Sequence, residues 1–141
     1  MGDALGLTLC DLNDDNRPDM TIAINDAAPQ HFVGQQLPET QSFKLLIRGE
    51  PGNPNAIGTR LTVKTSSHSR VFDLNSGGSY LSQSANEIFL ASDSIEEIKV
   101  NWPSGKEQLI AAPEFVDGKL IINATSDASA APSGASQTGA K

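Results

Sequence analysis

No window of this chain carries apolar residues at helical spacing. What recurs is alternation of period two, the pattern of a strand with one buried face. Leu5, Leu7 and Leu9 alternate with Gly6, Thr8 and Cys10, and Met20, Ile22 and Ile24 with Thr21, Ala23 and Asn25. Further strand-like segments follow at 42–49 (SFKLLIRG), 59–65 (TRLTVKT), 70–75 (RVFDLN), 87–91 (EIFLA), 95–102 (IEEIKVNW), 107–111 (EQLIA) and 119–124 (KLIINA). Turn-forming clusters separate them: EPGNPN, TSSHS, NSGGS, WPSGK and VDGK. Short strands at close spacing predict an all-β architecture, a sandwich or a barrel.

Two compositional shifts divide the 141 residues. Residues 30–40 read as a linker between an N-terminal piece, 1–36, and the main β unit, 37–124. From Thr125 to Lys141 the residues are mostly Ala, Ser, Gly and Thr without a large hydrophobe, so 125–141 reads as a disordered tail. The formal net charge of −7 excludes a phosphate-binding surface built on clustered Lys and Arg, and disfavours an anionic membrane. It suits a cationic partner. The lone Cys10 cannot form an internal disulfide, and in its apolar run it reads as a small buried hydrophobe. No segment reaches the ~20 apolar residues of a membrane span, and the start, MGDALGLTLC, lacks the features of a signal peptide.

Residues 10–20, CDLNDDNRPDM, place four Asp and two Asn in eleven positions. Side chains so charged and so close repel one another unless a cation sits among them. Counting from Asp11, oxygen-bearing side chains fall at positions 1 (Asp11), 3 (Asn13), 5 (Asp15) and 9 (Asp19), and Arg17 at position 7 would offer its backbone carbonyl. This spacing turns alternate side chains of a curling loop toward one hard cation, and it predicts a Ca2+ site. Asn16 stands at the sharp turn where Gly is usual, and Asn tolerates the left-handed conformation needed there. Position 12 is Ile22, without the bidentate Glu of an EF-hand, and the flanks read as strands. The expectation is therefore a strand–loop–strand calcium site, with Asp14 turned to solvent. A solvated acidic turn is the simpler alternative.

Residues 5–35, LGLTLCDLNDDNRPDMTIAINDAAPQHFVGQ, resemble an FG-GAP or VCBS-type repeat, a calcium-bearing blade of integrin-like β-propellers, and Asn25-Asp26 matches its closing step. Downstream, NPNAIGTRLTVKT (53–65), GGSYLSQS (77–84) and IKVNWPSGKEQLI (98–110) resemble the ASPIC/UnbV domain, a likeness covering roughly Phe43 to Asn123. Where that family has FGLG, this chain reads Phe89-Leu90-Ala91-Ser92. The resemblance implies a β-sandwich or barrel-like module preceded by a partial propeller blade, in a secreted or cell-surface protein.

Other residues take plainer readings. Trp102 continues the inward set of Ile98 and Val100, with Pro103 and Gly105 suited to a type I turn. Gly77-Gly78 reads as a turn or bulge. Tyr80 and Gln83 are candidates for a polar ligand ledge. His31 and His68 read as lying in separate loops without metal-ligand spacing, and no nucleophile or acid–base motif occurs, so catalysis finds no foothold. Asn123-Ala124-Thr125 is a glycosylation sequon. The expected function is a non-catalytic, calcium-binding module for a protein or glycan ligand. The alternatives are an accessory β domain of a larger secreted enzyme, or a structural spacer. Half a blade buries its faces only against neighbours. The chain is therefore expected to be the C-terminal part of a longer protein with upstream propeller repeats, its Leu7, Leu9, Ile22 and Ile24 left exposed unless they dock.

Overall fold

The computed structural model describes residues 3–36, 40–78, 82–92 and 94–124. The described residues form ten strands and no helix: β1 (Ala4–Cys10), β2 (Asp19–Ile24), β3 (Gln30–Phe32), β4 (Gln41–Arg48), β5 (Arg60–Thr65), β6 (Ser69–Asp73), β7 (Glu87–Ser92), β8 (Ile95–Asn101), β9 (Glu107–Ala111) and β10 (Lys119–Asn123). They make three sheets, ordered β1-β2-β3, β10-β4-β7 and β6-β5-β8-β9, with no closed barrel. Residues 125–141, read as a disordered tail, lie outside the described residues.

The second and third sheets share one core. Leu45 and Ile47 of β4, Ile88 and Leu90 of β7 and Ile122 of β10 meet Leu61 and Val63 of β5 and Ile98 and Val100 of β8. Each set falls on alternate positions, so the period-two pattern decides which face turns inward. Trp102 joins this core, and its indole N–H donates to Gln108 Oε1 at 3.1 Å, which satisfies its polar edge. The Gly105 N–H closes the turn onto the Trp102 carbonyl at 2.9 Å, and Gly105 has φ +85°. Residues 87–92, covering the segment without glycines, stay extended as β7.

One segment departs from the sequence reading. Gln30–Phe32, assigned to a linker, form β3 and pair with β2, Met20 opposite Phe32 and Thr21 opposite His31. His31 is thus a strand residue, its Nδ1 2.9 Å from Thr21 Oγ1. Local composition is polar there, and only the edge offered by β2 makes the segment a strand. The pairing of β10 with β4, on which the sequence reading is silent, is parallel, Lys119 beside Lys44 and Leu120 beside Leu45.

The N-terminal sheet docks by its edge and loop, and among the described residues its apolar face stays partly exposed. Along β1, the Leu7 and Leu9 N–H groups donate to Ser82 Oγ and Ser84 Oγ at 3.3 and 3.1 Å, and the Ala85 N–H donates to the Leu9 carbonyl at 2.9 Å. Cross-strand register puts Leu7 with Ile22, and Leu9 with Met20 and Phe32, on one face. Leu5, Leu7, Leu9 and Phe32 there remain 38–48% exposed. Cys10, on the opposite face, is a free thiol and only half-buried.

Candidate functional site

The loop between β1 and β2 curls as its spacing predicts. Asp14 and Asn16 both adopt left-handed φ, +62° and +65°. The Asp11 carboxylate accepts the backbone N–H of Asp15 on Oδ1 and of Asn16 on Oδ2, each at 3.0 Å, which ties the turn to its first residue. Asp15 accepts the Arg17 N–H at 2.9 Å and the Asn13 amide at 2.7 Å, and is ion-paired with the Arg17 guanidinium. Arg17 also donates to the Gly34 carbonyl at 3.2 Å and to Gln36 at 3.1 Å, fastening the segment after β3 to the loop. Asp19 is fully buried and accepts the N–H of Leu12 at 2.7 Å and of Gly34 at 2.8 Å.

A cation already sits among these carboxylates, and it comes from β4. Lys44 points away from the sandwich core, opposite to Leu45 and Ile47, yet is only 5% exposed because the acidic loop covers it. Its Nζ lies 2.6 Å from Asp11 Oδ2, 3.3 Å from Asp14 Oδ1 and 3.8 Å from Glu87 Oε1. Lys119 reaches Asp14 Oδ1 from the neighbouring strand at 2.5 Å. Lys44 and Lys119 are register partners, so their charges would repel on one sheet face without the acidic loop between them. Asn16 completes the contact, its amide donating to the Asp117 carbonyl at 2.7 Å. Its Oδ1 is buried without a hydrogen-bond partner.

The electrostatics follow from these contacts. Burial alone would push the Asp11 carboxyl up, but Lys44 and the two backbone N–H donors outweigh it and hold the group below its ordinary value. Asp14 is lowered by its hydrogen bond to Lys119 and then by Lys44. Burial likewise works to lower Lys44, and Asp11, Glu87 and Asp14 together raise it instead.

Asp11, Asn13, Asp15, Asp19 and the Arg17 carbonyl are the hard oxygen donors that calcium takes, in the predicted order, so the residue types fit such an ion. Their present arrangement serves other partners: Asp11 holds Lys44, Asp15 holds Arg17, and both Asp19 oxygens hold backbone N–H groups. Among the described residues no three Asp, Glu, His or Cys side chains are gathered as a metal cage. Asp14, expected to face solvent, is exposed but bridges the two lysines.

Lys44, Lys119 and Gly118 were not singled out from the sequence. The available signal was a lysine at an interior alternate position of SFKLLIRG, where an apolar residue or a surface charge would be unremarkable. Tyr80, of the candidate ledge, lies outside the described residues. Gln83 borders a groove of about 400 Å³ whose lining includes Asp73, Asn75, Ser84, Asn86 and Glu87, and its carbonyl accepts the Thr8 hydroxyl at 2.7 Å. His68 closes the β5–β6 turn, its ring Nδ1 2.8 Å from Ser67 Oγ.

Comparison with known families adds one result. Residues 49–127 match the family described as ASPIC and UnbV. The chain belongs to the ASPIC and UnbV family. The match contains β5 to β10, and with them Lys119, Gln83 and Trp102, whereas Lys44 on β4 and the acidic loop precede it. The matched region supplies Lys119 and Glu87 to the ionic contact, and the chain ahead of it supplies Lys44, Asp11 and Asp14. A search of curated proteins finds no match.

Proposed function

We propose that this chain is a non-catalytic, calcium-binding interaction module of a secreted or cell-surface protein, taking a protein or glycan ligand. The observation that carries this reading is the N-terminal sheet: one edge is joined to residues 82–85, while among the described residues its apolar face is left partly exposed. A sheet of three strands gains little from such a face in water, and it fits a surface that packs on another blade. The N-terminal unit is accordingly the partial FG-GAP/VCBS-type repeat that its sequence resembles, the end of a propeller whose upstream repeats cover that face. The polar groove beside Gln83 suits a glycan or a polar peptide segment, which its amide and carboxylate groups would bind by hydrogen bonds.

Calcium would be held by Asp11, Asn13, Asp15, the Arg17 carbonyl and Asp19. The expected affinity is weak, on the order of 10⁻⁴–10⁻³ M, as for extracellular modules. Calorimetric titration with calcium tests this, and Asp15→Ala should abolish the signal. Unchanged affinity in that variant would sink the assignment.

A further inference from the structure

We propose that Lys44 and Asp11 condense into an amide bond between their side chains, with Glu87 carrying the proton, which fixes the β1–β2 loop covalently to β4. The proposal goes beyond the calcium reading and does not rest on it. Three observations carry it. Lys44 Nζ lies 2.6 Å from Asp11 Oδ2, which sets a nucleophilic nitrogen beside a carboxyl carbon. The Lys44 side chain is 6% exposed and that of Asp11 fully buried, so bulk water has little access to the bond that would form. Glu87 stands over the same nitrogen, its Oε1 3.8 Å away, and its Oε2 is buried without a hydrogen-bond partner.

The step balances without an oxidant, a reductant or a further reactant. The pair starts as an ammonium and a carboxylate, both held in their charged forms. A proton passes from Nζ to Oδ2, leaving a neutral amine beside a neutral carboxylic acid. This transfer is the slow step, and the ion pair describes the chain until it occurs. The nitrogen lone pair then forms a bond to Asp11 Cγ. Negative charge collects on Oδ1, which already accepts the Asp15 N–H at 3.0 Å. Glu87 takes a proton from the nitrogen and delivers it to the Oδ2 hydroxyl. The Cγ–Oδ2 bond breaks, water departs, and Oδ1 remains as the amide carbonyl. One positive and one negative charge disappear together, while Asp14 keeps Lys119 as its partner. A pull that separates the N-terminal unit from the sandwich would then meet a covalent bond in place of an ion pair.

Mass spectrometry of the full chain, held folded at neutral pH and then denatured and digested with trypsin, tests the proposal. The intact wild type should be lighter than its sequence by one water molecule. Trypsin should fail to cut after the acylated Lys44 and release residues 1–48 as one product carrying that loss, since Arg17 precedes Pro18 and is not a cleavage site. Glu87→Gln keeps Lys44 and Asp11 but lacks the proton carrier, so it should retain its full mass and be cut after Lys44. A wild type of full mass would overturn the proposal. So would a loss of water with Lys44 still cleaved, because the dehydration would then lie at another residue. Condensation in Glu87→Gln equal to that of the wild type would overturn the part given to Glu87. The calcium reading survives each of these failures, because none of them involves the ion.

Discussion

Gly118 shows how one residue secures the loop contact. It has φ +74°, and a Cβ there would stand 2.6 Å from the Asn16 amide nitrogen and 3.0 Å from the Ser42 carbonyl oxygen. Gly118→Ala therefore meets both a backbone penalty and a collision. We expect a loss of about 1–2 kcal/mol in denaturant unfolding and faster amide exchange at Asp15 and Asn16. A wild-type exchange pattern in that variant would contradict the contact. The neighbouring ion pair sets a pH dependence. Asp11 is lowered on folding, so its contribution is complete above the unfolded value near 4 and is lost as pH falls through the lower folded value. Lys44 is raised, so its contribution is complete below about 10 and is lost only as pH rises through the higher folded value. Between pH 5 and 9 the pair should add no pH dependence. Toward about pH 2 the thermal midpoint should fall further for the wild type than for Lys44→Met.

At the scale of elements, the N-terminal sheet has an edge that is used and a face that is not. The edge supplies backbone hydrogen bonds to residues 82–85, which satisfy β1 groups that would otherwise invite another strand. The face presents Leu7, Leu9 and Phe32 partly to solvent, and none of them packs against the sandwich core, so replacing them removes no buried area from that core. The triple variant Leu7→Ser, Leu9→Ser, Phe32→Ser should leave the melting of the sandwich within about 1 °C of wild type per substitution while reducing binding of an apolar dye. A large fall in melting temperature would show that the face is already covered. The surface pair Arg60–Asp73, with Nε–Oδ1 at 2.7 Å across β5 and β6, joins two exposed groups and is not expected to matter comparably.

For the whole molecule, the sandwich core draws on β4, β5, β7, β8 and β10 and owes nothing to the first sheet. Residues 41–124 should therefore fold without residues 1–36, and a random-coil circular dichroism spectrum would refute this. Removing the N-terminal unit also leaves Lys44 and Lys119 adjacent on an open sheet face. The shortened protein should gain thermal stability as salt rises from low ionic strength to about 0.5 M, because salt screens that repulsion. The full chain, in which the same lysines are paired with Asp11 and Asp14, should gain less.

Local sequence determined the strands, the turns and the curl of the acidic loop, because side-chain periodicity and left-handed tolerance act over a few residues. Leu45 and Ile47 could be read as inward from alternation alone, and Asn16 as the left-handed corner from its residue type. The same alternation turns Lys44 to the outer face, but says nothing of what lies over that face. Its partners Asp11, Asp14, Glu87 and Lys119 come from segments remote in the chain, brought together by a parallel pairing and a docked loop. The same holds for Gln30–Phe32, polar by composition and a strand only because β2 offers it an edge. The tertiary structure alone decided which cation the acidic loop meets, since charge pairing depends on distance in space and the sequence orders residues only along the chain.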